Sequence, residues 1–172
     1  AHTGEYGAEF YFLDPENRAP NNPGVTVDFR AFLLATGGLQ AAKDHLDLYI
    51  GALGISYETE ALRVSRVDFA VDILAPWFEP NRDSLVVPPG TKVTERTGID
   101  ETETNASGPR VTGLRAGAIA NRQLAIYDKR AEVIAKGKMG WIEIWNDKLA
   151  ARRLPRVDLS DRRTSQIWRF EM

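Results

Sequence analysis

The sequence predicts an α+β fold in which an antiparallel-dominated sheet carries helices on one face, in a split β-α-β arrangement. Two observations lead to this prediction. Apolar and polar residues alternate at a period of two in several short segments, which is typical of half-buried strands, and apolar residues recur three and four positions apart in others, which is typical of helices. The segments follow the order strand, helix, strand, long excursion, two strands, helices, strand.

The N-terminal part starts with an extension and loop, residues 1–24, whose second half, DPENRAPNNPG, is rich in turn-forming residues. A strand is predicted over 25–34, because its apolar residues alternate with Thr, Asp and Arg. Gly37 and Gly38 end that strand, and an amphipathic helix is predicted over 39–53.

The clearest strand is predicted over 64–74, where four apolar residues face one way while Asp68 and Asp72 share the opposite face. Residues 79–109 contain four prolines, three glycines and five threonines, so they are interpreted as a long excursion within one domain. We expect this excursion to act as a flap.

The C-terminal part predicts a hairpin of two strands, 110–119 and 122–128, followed by a basic helix over 129–138. A second, tryptophan-containing helix is expected over 141–153 and a last strand over 165–171. The sequence ends one residue after that strand, which leaves open a further C-terminal domain beyond it.

Length and composition exclude several classes of protein. The 172 residues, 43% hydrophobic and 27% charged, fit a folded domain, which we assign to residues 25–172. The absence of cysteine excludes disulfide scaffolds and thiol nucleophiles, and two distant histidines give little support to a histidine metal site. Neither a membrane span nor a signal peptide is visible, so we expect a cytoplasmic protein.

Charge is distributed unevenly along the chain. Residues 1–109 carry 8 Lys and Arg against 17 Asp and Glu, whereas residues 110–172 carry 14 against 7. A basic segment of this kind can contact the phosphates of a nucleic acid, although basic helix faces are often only solvated surface.

Polar side chains from three predicted strands share what we expect to be one sheet face: Asp68 and Asp72, then Tyr127, then Glu171 with Arg169. Carboxylates are suitable ligands for Mg²⁺ or Mn²⁺, and such an ion can polarise a phosphodiester that a tyrosine attacks. Asp68 and Asp72 would lie roughly 13 Å apart on a regular strand, so at most one is expected to bind the ion directly. The alternative is that the acids are merely solvated and that Tyr127 packs across strands.

Four segments in order carry a resemblance to a known family. They are RVDFAVDIL at 66–74, ANRQLAIYDKRAEVIAKGK at 120–138, WIEIWNDKL at 141–149 and IWRFE at 167–171. The sequence resembles the replication initiation factor family, the trans-acting rolling-circle initiators of plasmids and phages with related conjugative relaxases. The resemblance implies a palm similar to that of HUH endonucleases or RRM domains, here without a His-x-His metal motif.

The resemblance also implies an activity and its residues. Tyr127 would attack one DNA strand at the origin, leaving a 5′-phosphotyrosyl link and a free 3′-hydroxyl, while Lys129 would steady the phosphate. Asp68, Asp72 and Glu171 would be the candidate ligands of Mg²⁺ or Mn²⁺. The basic surface that binds DNA is expected to include Arg115, Arg122, Arg130 and Arg169.

The partners that follow are origin DNA, single-stranded or extruded at the nick, and by resemblance a host helicase and polymerase in the bacterial cytoplasm. Whether the protein forms a homodimer is left open, and no membrane partner is expected. Two other functions also remain open: a non-catalytic, sheet-based nucleic-acid-binding module, and a metal-dependent nuclease that uses water instead of Tyr127.

Overall fold

The structure is a computed structural model that describes residues 1–4, 6–14, 16, 22–98, 110–117 and 122–172. The chain divides into two units, Ala1–Arg63 and Val64–Met172. This division differs from the expected one, in which residues 25–172 form a single domain after an extension. The α+β class and the antiparallel sheet are confirmed.

Unit 1 is a hairpin with one long helix. Strand β1 (Ala8–Phe12) pairs antiparallel with β2 (Val25–Phe29), and helix α1 covers Ala31–Ala52. The core of this unit consists of Ala8, Phe10, Leu46 and Ile50, with four partly buried residues packed against it.

The first strand and helix of the expected split β-α-β arrangement therefore belong to unit 1 and do not enter the large sheet. Strand β2 stops at Phe29, and the segment expected as its second half is the first turn of α1. Gly38 interrupts the helix with φ 70° and ψ −165°, a conformation that glycine adopts without steric cost. Two helical segments therefore meet at this kink: residues 31–37, where the second half of a strand was expected, and residues 39–52, which match the helix predicted over 39–53.

Unit 2 contains a five-stranded sheet in the order β3-β7-β6-β5-β4, and every neighbouring pair is antiparallel. Its strands are β3 (Ala70–Leu74), β4 (Val93–Gly98), β5 (Arg110–Gly117), β6 (Gln123–Asp128) and β7 (Ile167–Glu171). Helices α2 (Lys129–Ala135), α3 (Gly140–Ala150) and α4 (Arg162–Ser165) connect β6 to β7.

One face of this sheet forms an apolar core. Leu114, Ile126 and Trp168 are each no more than 3% exposed and pack with residues of the segment after β3. Phe78 from that segment meets Trp168 edge-on, with ring centroids 5.7 Å apart. Because side chains alternate along each strand, the neighbouring residues point to the opposite face, where the polar candidates lie.

The excursion expected over 79–109 contributes a strand, β4, to the sheet, and its residues 99–109 lie outside the described part of the chain. The segment 64–74 is a strand only from Ala70, and it is an edge strand. Its apolar residues Val71 and Ile73 are accordingly 58% and 41% exposed.

None of the described helices has the length and apolar character needed to cross a lipid bilayer.

Candidate active site

Four residues form a continuous row across four strands of unit 2. Asp72 of β3 lies opposite Arg169 of β7, Arg169 lies opposite Tyr127 of β6, and Tyr127 lies opposite Gly113 of β5. Directly opposed residues of antiparallel strands place their side chains on the same face, with Cβ atoms about 5 Å apart. The sequence prediction that Asp72, Arg169 and Tyr127 share a face agrees with this register.

That face is not open along its whole width, because helix α3 packs on its β3 and β7 side. The indole Nε1 of Trp145 donates a hydrogen bond to Asp72 Oδ2 at 2.9 Å. The guanidinium carbon of Arg169 lies 4.3 Å from the ring centroid of Trp141. Helix α3 therefore lies on the same face of the sheet as Asp72 and Arg169.

Asp72 and Arg169 form a buried ion pair with two hydrogen bonds. Arg169 Nε donates to Asp72 Oδ1 at 2.6 Å and Nη2 donates to Oδ2 at 2.8 Å. The side chains are only 5% and 15% exposed, Arg169 being the more buried. Burial works to lower the pKa of Arg169, but the hydrogen bonds with Asp72 outweigh it and the pKa is raised, so the guanidinium stays charged.

Tyr127 is half-buried, and its phenolic oxygen donates a hydrogen bond to Glu171 Oε2 at 3.2 Å. Burial raises the pKa of Tyr127, whereas the charge of Arg169 works to lower it. The phenol is thus protonated at neutral pH. A reaction at this oxygen needs a proton acceptor, and the Glu171 carboxylate is in contact with it.

Lys129 is 3% exposed and faces a carboxylate within its own helix. Its Nζ donates to Glu132 Oε2 at 2.6 Å and lies 4.9 Å from the ring centroid of Trp141 and 5.8 Å from that of Tyr127. Burial and the charge of Arg169 lower the pKa of Lys129. Its ammonium group is therefore directed at Glu132. The expected role of Lys129 in steadying phosphate stays a prediction.

Gly113 is a site residue that the sequence reasoning missed. A Cβ atom at this position would lie 2.9 Å from the carbonyl oxygen of Ile126 and 3.2 Å from Cβ of Tyr127. Any larger residue would therefore displace Tyr127 or β6. The isolated glycine within a strand pattern was an available signal, since such a glycine often marks close approach of another group.

The acids do not form the expected metal site. Both carboxylate oxygens of Asp72 accept hydrogen bonds from Arg169, and Oδ2 also accepts one from Trp145. Asp68 binds Arg66 at 2.7 Å and lies before the start of β3. Among the residues that the structure describes, no three His, Cys, Asp or Glu side chains group closely enough to hold an ion. This donor set does not fit Mg²⁺ or Mn²⁺.

The four arginines expected to bind DNA fall into two pairs. Arg130 is 0% exposed and donates to the carbonyl of Leu159, and Arg169 is 4% exposed. Both side chains are enclosed within unit 2, so neither contributes to an exposed basic surface. Arg115 and Arg122 are exposed.

Arg96 is a second residue that the sequence reasoning did not select. It is exposed and lies opposite Gly113, in the same row as Tyr127. Arg115 lies opposite Ala125, two residues along β6 from Tyr127 and on the same face. The β-branched residues of TKVTERT at 91–97 were a strand signal that the surrounding prolines and glycines obscured.

The fold and site define an α+β protein whose antiparallel sheet carries a tyrosine–glutamate pair beside a buried arginine–aspartate pair. No protein-family model matches the sequence. Comparisons with curated proteins and with solved structures also found no match.

Proposed function

We propose that this protein is a tyrosine-dependent DNA strand-transfer endonuclease that acts as a rolling-circle replication initiator. The observation that carries the proposal is the 3.2 Å hydrogen bond from the Tyr127 phenol to Glu171, next to the charged guanidinium of Arg169 on the same sheet face. A nucleophile, a base and a fixed positive charge are the groups that phosphoryl transfer to a tyrosine requires.

The proposed step conserves the number of phosphodiester bonds. As the phenolic oxygen of Tyr127 bonds to phosphorus, the proton of the phenol passes to Glu171. The bond from phosphorus to the 3′-oxygen breaks, and that oxygen takes a proton from solvent to become a 3′-hydroxyl. The reverse reaction rejoins the strand, which is what an initiator needs when it closes a replicated circle.

The position of exposed charge supports a path for single-stranded DNA over β4 and β5. Arg96 and Arg115 are exposed on the face that carries Tyr127. The helix-covered side, with Trp141 over Arg169, is closed to a backbone. A single strand that contacts both arginines therefore approaches Tyr127 from the Gly113 side, where the opposing residue has no side chain.

A second candidate function is a non-catalytic nucleic-acid-binding module that uses the same sheet face. The half-burial of Tyr127 favours it, because burial raises the pKa of the phenol and so opposes phenolate formation. In this case the arginines bind phosphate and Tyr127 only packs between strands.

The test is transfer of DNA label to the protein. A random pool of single-stranded oligonucleotides, labelled at the 3′ end, is incubated with the full chain with and without magnesium or manganese, then denatured and resolved by electrophoresis. Tyr127→Phe removes the nucleophile. Tyr11→Phe is the matched control, since Tyr11 also donates to a glutamate, Glu9, but lies in unit 1.

Label on the wild-type protein and on Tyr11→Phe, but not on Tyr127→Phe, supports the proposal. Cleavage without attached label that survives Tyr127→Phe indicates a hydrolytic nuclease. Retention of DNA with no cleavage of any member of the pool supports the binding module and contradicts the nicking function.

A further inference from the structure

We infer that Asp72 and Trp145 are positioning residues that together hold the guanidinium of Arg169 beside the Tyr127 phenol, so that its charge faces the oxygen that reacts. This inference rests on the proposed function. It assigns Asp72 a task different from metal binding, and it gives Trp145 a task beyond core packing.

The bonding of Asp72 leaves little freedom to Arg169. Two nitrogens of the guanidinium, Nε and Nη2, donate to the two oxygens of Asp72 at 2.6 and 2.8 Å. Because the guanidinium is planar, two fixed nitrogens fix the third as well. Asp72 lies on the β3 side of Arg169 and Tyr127 on the β6 side, so the arginine is held between them.

Trp145 fixes Asp72, the partner of Arg169 in the ion pair. Its indole N–H donates to Asp72 Oδ2 at 2.9 Å across 73 residues of sequence. The neighbouring Trp141 covers the guanidinium at 4.3 Å from ring centroid to guanidinium carbon. The two tryptophans of α3 therefore set the carboxylate and enclose the arginine that it binds.

The enclosure strengthens the effect of the charge on Tyr127. Arg169 is only 4% exposed, and charges act over short distances more strongly where water is excluded. In agreement with this, the charge of Arg169 works to lower the pKa of Tyr127 against the effect of burial.

A contribution to folding stability does not by itself account for the buried ion pair of Asp72 and Arg169. Burying both charges costs desolvation that their attraction offsets only in part, and apolar residues of similar volume often stabilise a fold as well or better. What the ion pair with its indole donor provides is a fixed orientation of Arg169, and orientation matters for a group that stabilises developing charge.

The test compares single changes that alter the positioning bonds but preserve shape. Trp145→Phe keeps an aromatic ring and removes the indole donor, and Asp72→Asn keeps the size and removes the charge. The matched control is Asp147→Asn, the same chemical change on the exposed side of α3. The rate of adduct formation at saturating DNA is measured together with the DNA concentration that gives half the maximal rate.

We expect Trp145→Phe to lower the saturated rate about tenfold and Asp72→Asn about 100-fold, since a small misplacement of a catalytic group has effects of this size. The DNA concentration that gives half the maximal rate should stay unchanged in both variants. In Asp147→Asn, neither this concentration nor the saturated rate should change. Unchanged rates in folded Trp145→Phe, or an effect confined to half-saturation, would overturn the inference.

A second readout separates this inference from the proposed function. Nitrogen NMR of the arginine side chains reports whether the guanidinium of Arg169 is held and whether it senses Tyr127. The Nε–H and Nη signals of Arg169 should shift in Tyr127→Phe and should lose their protection from exchange in Trp145→Phe. If wild-type protein forms no adduct, nicking is wrong, and unshifted Arg169 signals in Tyr127→Phe would refute the positioning as well.

Discussion

Asp72 and Arg169 lie 97 residues apart in sequence and are bound to each other by two hydrogen bonds of 2.6 and 2.8 Å. The pairing of β3 with β7 brings them together, and helix α3 covers them. Asp72 is consequently a partner of an arginine and not an open carboxylate. The charged side chain that lies next to Tyr127 is that of Arg169.

Replacement of Gly113 by alanine should destabilise unit 2 and impair any function of Tyr127. The added Cβ would lie 2.9 Å from the Ile126 carbonyl oxygen and 3.2 Å from Tyr127 Cβ, which requires a shift of the strand. We expect a loss of about 1–3 kcal/mol in the free energy of unfolding, measured by urea denaturation.

The matched control is Gly51→Ala, because Gly51 lies in helix α1 and a Cβ there meets no atom within 4 Å. This change should stabilise its helix by up to about 1 kcal/mol, since alanine is the better helix former. Equal effects of the two substitutions would argue against the close approach of β5 to Tyr127.

Glu132 should stabilise unit 2 in a pH-dependent manner. Burial works to raise the pKa of Glu132, but hydrogen bonds from Lys129 and Lys136 dominate and lower it from 4.5 to about 2. A lowered folded-state pKa contributes stability above the unfolded-state value, and that stability is lost as pH falls from about 4.5 to about 2. Its size is at most about 3–4 kcal/mol, because the shift is about 2.5 pKa units and each unit is worth about 1.4 kcal/mol.

The measurement is the free energy of unfolding of wild type and Glu132→Gln between pH 2 and 7. The two should differ most above about pH 5 and converge toward pH 2. Glu143→Gln, an exposed change on α3, should follow the wild type throughout. A constant difference across this range would contradict the lowered pKa.

Arg96 and Arg115 should contribute separately to the affinity for single-stranded DNA. Each exposed guanidinium that contacts a phosphate releases a counterion, so Arg115→Gln should reduce the slope of log affinity against log salt by about 0.7. Arg96→Gln should have the same effect, and the double variant twice as much.

Binding is followed by fluorescence anisotropy at several salt concentrations. Arg63→Gln serves as the control, since Arg63 is exposed at the end of unit 1 and outside the sheet of unit 2. A salt slope that is unchanged in Arg96→Gln and Arg115→Gln would exclude this face as the DNA path.

Two adjacent aromatic residues should differ sharply in their contribution to stability. Phe78 packs edge-on against Trp168 at 5.7 Å between ring centroids, while Trp77 is 82% exposed. Phe78→Ala should cost about 3 kcal/mol in unfolding free energy through the cavity it leaves, and Trp77→Ala no more than about 0.5 kcal/mol. Thermal and urea unfolding of both variants check this order, and a larger loss in Trp77→Ala would contradict the described core.

Sequence patterns alone predicted the elements that contact the next element along the chain. The strands predicted over 110–119 and 122–128 appear as β5 and β6, and the turn between them, 118–121, lies outside the described residues. Helices α2 and α3 also lie close to the helices predicted over 129–138 and 141–153, whereas the short helix α4 was not predicted. By contrast, β4 was hidden among prolines and glycines, and its pairing with β5 is what makes it a strand.

By itself the sequence determined on which side of its own strand each of Tyr127, Arg169 and Asp72 lies, because side chains alternate strictly along a strand. The pairing of β3, β7 and β6 decided that these three sides form one face. Tertiary structure alone decided what each of them touches. Contact between Asp72, Arg169 and Trp145 depends on strand order and on the side of the sheet to which α3 returns, and these are set by packing between segments far apart in sequence. A period of two places a carboxylate on a face, but only the folded chain determines whether its partner there is solvent, a metal ion or an arginine.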